Sequence, residues 1–140
     1  MKTEELMVGN YLLDPNNNVC CVFRIEGDTG FISVAHIFSG FEKYSYSVCS
    51  YKSIFLTHEL LLKCGFVVDL TKGGVVGSIP EFYTRTVTNL NGITYKETIM
   101  SNFKTGVYSD SNGFTFQYLH EFQNYHFCKY HESLQVNLWQ

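Results

Sequence analysis

The first part of the chain alternates apolar and polar positions in short runs, each closed by turn-forming residues. Tyr11–Asp14 leads into Pro15-Asn16-Asn17-Asn18, a turn signal because proline presets φ and asparagine tolerates left-handed backbone. Val19–Ile25 and Phe31–Ile37 read as strands on either side of Gly27-Asp28-Thr29-Gly30. After a looser break at Ser39-Gly40, the alternation of Tyr44, Tyr46 and Val48 predicts a fourth strand within Tyr44–Tyr51. The period then changes. In Ile54–Phe66, Thr57 is placed to cap a helix, with Glu59 in its first turn, Leu60, Leu61 and Leu62 as its apolar body, and Lys63 and Gly65 at its end. So short a helix must dock on a sheet to persist. His58, in its first turn, is expected at the surface.

Strand character returns with Val67–Leu70. Thr71-Lys72-Gly73-Gly74 reads as loop and Val75–Pro80 is ambiguous; the glycines there lack the GK[ST] ending of a phosphate loop. Phe82–Asn89 and Ile93–Met100 form the clearest hairpin, because Asn91-Gly92 supplies the positive φ values of a tight turn. Thr84, Thr86, Thr88, Thr94 and Thr98 suit strands with a solvated face. Val107-Tyr108 and Phe114–Phe116 suggest a second hairpin across Ser109–Gly113.

One long helical pattern follows, Phe116–Tyr130, with the change of period at about Gln117. At roughly 100° per residue, Phe116, Tyr118, Leu119, Phe122, Tyr125, Phe127 and Tyr130 share one arc, and Gln117, Glu121, Asn124 and Cys128 lie opposite. Gln123 and His126 project from within the apolar arc, and His120 sits at its border. A break at Glu132-Ser133 precedes the alternating Leu134–Trp139, read as a closing strand. The expected class is α+β, mostly antiparallel β, with an SH3-like barrel or bent sheet at the N-terminus and two helices packed on sheet. At 140 residues the chain is expected to be a single domain, residues 1–140, with a subdivision into 1–70 (barrel plus short helix) and 78–140 (hairpins, helix and strand) as the alternative.

Composition changes this picture in a few respects. The chain is 45% hydrophobic and 16% charged, which suits a folded protein. Ten Tyr and twelve Phe favour strands and shared aromatic cores. A net charge of −3, with scattered Lys and Arg, argues against a nucleic-acid polymer or an anionic membrane as partner. The acidic N-terminus lacks the apolar run of a signal peptide, so a cytoplasmic location is expected. Cys20, Cys21, Cys49, Cys64 and Cys128 show no CxxC spacing and read as buried reduced thiols.

Candidate chemistry centres on Tyr118, His120, Gln123, Asn124 and His126. Spacings of three and four residues bring side chains on adjacent turns together. The cluster could orient a ligand in an aromatic pocket, with rings stacking on a nucleobase and amides reading its edge. The competing and favoured reading is a buried network tying the helix to sheet backbone, since buried amides must be satisfied. No metal or cofactor is implied: His120 and His126 are not spaced to share a helix face as ligands. Asp14, Asp28, Asp69 and Asp110 fall at strand ends or turns, where turn bonding accounts for them. No catalytic residue is assigned.

Three segments carry a resemblance. Leu6-Met7-Val8-Gly9-Asn10-Tyr11 resembles the LRxGN opening of an uncharacterised family of small proteins from Bacteroidetes phages and mobile elements. Ile54–Phe66 is similar to that family's IPLTEEWLLKFGF segment, with Phe55 in place of Pro and His58 in place of Glu. Tyr118-x-His120-x-x-Gln123-Asn124-x-x-Phe127 is similar to its YVHxLQNLYF segment, whereas Glu132-Ser133 departs from the usual Gly-Lys/Glu. The resemblance implies a mobile-element setting and no particular activity. The expectation is a non-catalytic binding protein, in an anti-defence role, that sequesters a small host ligand such as a signalling nucleotide or blocks a host protein, with a homo-oligomer as a further arrangement. The alternatives are a protein-interaction or structural accessory module and an unrecognised hydrolase.

Overall fold

A computed structural model describes residues 1–37, 43–71, 82–88, 90–102 and 105–138, with the backbone alone at 43–45. The expected Ser39-Gly40 break and the segment Val75–Pro80 lie outside these residues. By contacts the chain falls into two compact units. One comprises Met1–Phe55 and Tyr118–Tyr125, the other Leu56–Gln117 and His126–Gln140.

In the first unit, β1 (Tyr11–Leu13), β2 (Val19–Glu26), β3 (Phe31–His36), β4 (Lys43–Ser47) and β5 (Lys52–Ser53) form an antiparallel sheet in the order β4-β3-β2-β1-β5. It takes the curled, half-barrel form of the bent sheet expected from the turn spacing. One cause of the curl is local. The β2–β3 register shifts between Val22 and Arg24, so Phe23 is an extra residue that bends the strand. A single 3-10 turn, Val48–Ser50, then carries the chain from β4 into β5, which pairs with β1. Leu12, Cys20, Val22, Ile32 and Val34 are fully buried at the centre, with Leu6, Val48 and Tyr51 around them. The predicted strand through Tyr51 therefore stops at Ser47, where the 3-10 turn begins.

The second unit opens with α1 (His58–Lys63). Thr57 Oγ1 accepts from the Leu60 N–H at 3.2 Å, as a cap should. At the other end Gly65 adopts φ +88°, which lets the Phe66 N–H reach the Leu61 carbonyl and the Gly65 N–H reach that of Leu62. The sheet that follows has the order β10-β9-β8-β7-β6, built from β6 (Val67–Val68), β7 (Phe82–Thr88), β8 (Thr94–Asn102), β9 (Val107–Asp110) and β10 (Thr115–Phe116). Pairing outward from Asn91 sets Thr84 opposite Thr98 and Thr88 opposite Thr94, on the face opposite to Tyr83, Val87 and Ile99. Thr86, Thr88 and Thr94 are exposed as expected, but Thr84 is buried.

The second helix, α2 (Leu119–Tyr130), begins later than the apolar pattern suggests. Phe116 is held in β10 opposite Tyr108, so ladder pairing there overrides the helical period. Leu119, Phe122 and Tyr130 are buried as predicted, whereas Phe127 is 40% exposed although it lies in the apolar arc. The expected closing strand is corrected as well. Residues 131–138 run without strand pairing: Leu134 is buried, and the Asn137 N–H donates to the Lys63 carbonyl in place of a ladder.

Candidate functional site

Tyr118 precedes α2, and its N–H is taken by Glu121 Oε2 at 3.1 Å, the reciprocal half of a capping box. One turn on, Gln123 is buried with both ends of its amide used. Its Oε1 accepts from the Tyr11 N–H and its Nε2 donates to the Gly9 carbonyl, each at 3.0 Å. Asn124 behaves likewise: Oδ1 accepts from Asn10 Nδ2 and Nδ2 donates to the Glu5 carbonyl, each at 2.8 Å. Asn10 is itself buried, and its Oδ1 accepts from the Met7 N–H. The Gly9-Asn10 and Gln123-Asn124 pairs, which carried two of the sequence resemblances, are thus bonded to each other. Gly9 contributes a φ of +97°, a conformation only glycine takes cheaply. Of the two readings of these amides, the geometry is that of the backbone network.

His120 differs. It was expected at the border of the apolar arc, yet it is 1% exposed. Neither ring nitrogen has a hydrogen-bond partner among the described residues. Its ring stacks on Tyr118 at 5.8 Å and 12°, and Tyr118 in turn packs on Phe55 at 5.1 Å. A β-bridge between Phe55 and Tyr118, and the Leu119 N–H bonded to the Ile54 carbonyl, fix this row. Phe55 itself is 59% exposed. Burial holds the His120 imidazole below the ordinary histidine range, opposed by the carboxylates of Glu121 and Glu5.

His126 belongs to the second unit. There Arg85 lies in the apolar face of its sheet, opposite Glu97, and its Nε donates to Glu97 Oε2 at 2.9 Å. Arg85 Nη1 donates to the Cys64 carbonyl, the guanidinium lies over the Phe66 ring, and Nη2 meets His126 Nε2. Arginine can only donate, so Nε2 must accept and the proton sits on Nδ1, which donates to the Glu132 carbonyl at 3.0 Å. Burial, with the Arg85 charge beside it, drives His126 down to about 4. Tyr130 packs on this imidazole at 4.8 Å, and burial, with the Glu97 carboxylate nearby, lifts its hydroxyl to about 12. Perturbed groups of this kind often mark active sites. Here the guanidinium is engaged by Glu97, the Cys64 carbonyl, the Phe66 ring and His126, and His126 is neutral with both nitrogens committed.

Sequence reasoning overlooked Arg85 and Glu97, although the signal was present. Counting outward from the Asn91-Gly92 turn puts them face to face on the non-threonine side of the hairpin. It also overlooked His36, whose Nε2 donates to Asp14 Oδ2 at 2.6 Å. Asp14 Oδ1 takes the N–H groups of Asn16 and Asn18, as expected of a turn aspartate. Burial would raise its carboxyl, but these bonds and His36 hold it below the usual value. Asp69 and Asp110 close turns in the same way, on Thr71 and on Asn112 and Phe114. Cys20, opposite His36 on the neighbouring strand, donates its thiol to the Leu12 carbonyl. Burial pushes it to about 12, as it does Cys64. All five cysteines are free, but Cys49 and Cys128 are exposed rather than buried.

Among the described residues no group of three or more His, Cys, Asp or Glu side chains could hold a metal ion, and no helix is long and apolar enough to cross a membrane. No family model, curated protein or solved structure matches the chain.

Proposed function

We propose that this chain is a non-catalytic binding protein of a phage or mobile element that retains a small host ligand carrying an aromatic ring, a signalling nucleotide being the model case. The single observation behind the reading is the row Phe55–Tyr118–His120. A mostly exposed phenyl ring is held against a half-buried tyrosine by backbone pairing, and that tyrosine stacks on a buried imidazole. Such a rigid platform suits stacking on a base, a contact worth about 1–3 kcal/mol per base. The amides of Gln123 and Asn124 are engaged with the chain's own backbone and Asn10, so recognition rests on the rings rather than on those amides. The mobile-element setting comes from the sequence resemblance.

The test is thermal denaturation with a panel of linear and cyclic nucleotides, for the native chain and for Phe55→Ser. A ligand at 100 times its Kd stabilises the native chain by about 2.7 kcal/mol. Loss of the Phe55 ring weakens binding roughly 10- to 100-fold, and the ligand is recovered chemically unchanged. No stabilisation by any nucleotide, equal binding by the variant, or turnover of the ligand overturns the reading.

A further inference from the structure

The N-terminal segment is fastened to the first unit by a small set of polar contacts from α2, and at Gly9-Asn10 also by two backbone hydrogen bonds with Val22. The Glu5 carbonyl is held by Asn124, the Gly9 carbonyl and the Tyr11 N–H by Gln123, and Asn10 by Asn124. Apolar contacts supplement them: Leu6 is 6% exposed in the core and Met1 packs against it. His120 lies three and four residues before Gln123 and Asn124, on the adjoining turn of the same helix face. It is buried, and neither nitrogen is bonded among the described residues. The charged groups acting on it are the Glu121 carboxylate from its own helix, the Glu5 carboxylate from the turn Thr3–Glu5, and the amino group of Met1. Glu5 therefore belongs both to the fastening and to the surroundings of the imidazole.

We propose that His120 is an acid-sensitive release for this N-terminal segment: when the imidazole takes a proton, the contacts of Gln123 and Asn124 open and residues 1–10 come away from α2. In the closed form an imidazolium would be a buried cation without a hydrogen-bond acceptor among the described residues, a costly state. Once the segment lifts, the ring is solvated and the Glu121 carboxylate of its own helix can face it. Opening is thus coupled to the uptake of one proton. The sign follows from the closed-form imidazole lying below the ordinary value. Above about pH 6.5 both forms are neutral and the segment stays closed. Below it the open form binds the proton first, and opening gains about tenfold per pH unit until the closed form also titrates.

Amide hydrogen exchange between pH 7.5 and 5, expressed as protection factors, reads this directly. The range keeps exposed carboxylates largely ionised. The Tyr11 amide reports on Gln123, the Met7 amide on Asn10, and the Gly9 amide, bonded to the Val22 carbonyl at 2.7 Å, on the entry to β1. These three lose protection by about tenfold per pH unit below about 6.5 in the native chain and stay level in His120→Phe, while the Ile99 and Glu97 amides of the second unit hold steady in both. Level protection in the native chain, or the same slope in His120→Phe, overturns the proposal. Should that variant fail to fold, the imidazole signals of the native chain decide. Loss of protection at the three reporters together with His120 protonation sustains the proposal, and a ring that stays neutral until Ile99 also exchanges ends it.

Discussion

At the scale of single residues, the most demanding interaction is the ion pair between Arg85 and Glu97. The two side chains are 12% and 1% exposed. Burial raises the Glu97 carboxyl above its ordinary value even though Arg85 opposes this, and Glu97 Oε1 has no hydrogen-bond partner among the described residues. Removing one partner from such a pair strands the other. Arg85→Leu is therefore expected to destabilise the protein by about 3–5 kcal/mol, whereas the double variant Arg85→Met with Glu97→Leu recovers much of that loss. Urea denaturation of both variants checks the order; a double variant as weak as the single one would show that the pair contributes more than charge compensation. His126 adds to the case, because its Nε2 accepts from Arg85 only while the imidazole is neutral, and a value near 4 keeps it so at neutral pH.

At the scale of elements, α2 is defined by what its two halves hold. Residues up to Tyr125 serve the first unit and those from His126 the second. Its apolar arc, legible in the sequence, accounts for Leu119, Phe122 and Tyr130. Gln123, inside that arc, could not be read in the same way, because its partners lie more than a hundred residues earlier in the chain. Gln123→Leu keeps the volume and helix propensity but leaves the Tyr11 N–H and Gly9 carbonyl without their acceptor and donor. A fully buried group so orphaned costs about 1–3 kcal/mol, and these two are part-buried, so the variant should lose about 1–3 kcal/mol in urea denaturation. A loss under about 1 kcal/mol would mean that water replaces the amide at little cost.

At the scale of the whole molecule, thiol chemistry gives an independent reading of the fold. Cys49 and Cys128 are exposed, Cys21 is half-buried, and Cys20 and Cys64 are buried with thiols near 12. A maleimide at pH 7 should modify the first two quickly, Cys21 more slowly, and Cys20 and Cys64 only on unfolding. Mass spectrometry of the native protein checks this, and rapid labelling of Cys20 or Cys64 would contradict the burial described here. β1, β2 and β3 of the first sheet, the capped α1 and the Asn91-Gly92 hairpin were set by the sequence itself, since alternation, caps and turn residues act over a few positions. The tertiary structure alone decided the rest. It delayed the start of α2 to Leu119 by pairing Phe116 with Tyr108, and it left Leu134–Leu138 without a ladder. It also joined Gln123 and Asn124 to Gly9-Asn10, and buried His120 without a partner among the described residues. The reason is physical: local patterns state which groups seek burial or a hydrogen bond, but the partner a distant segment supplies is chosen only when the chain closes on itself.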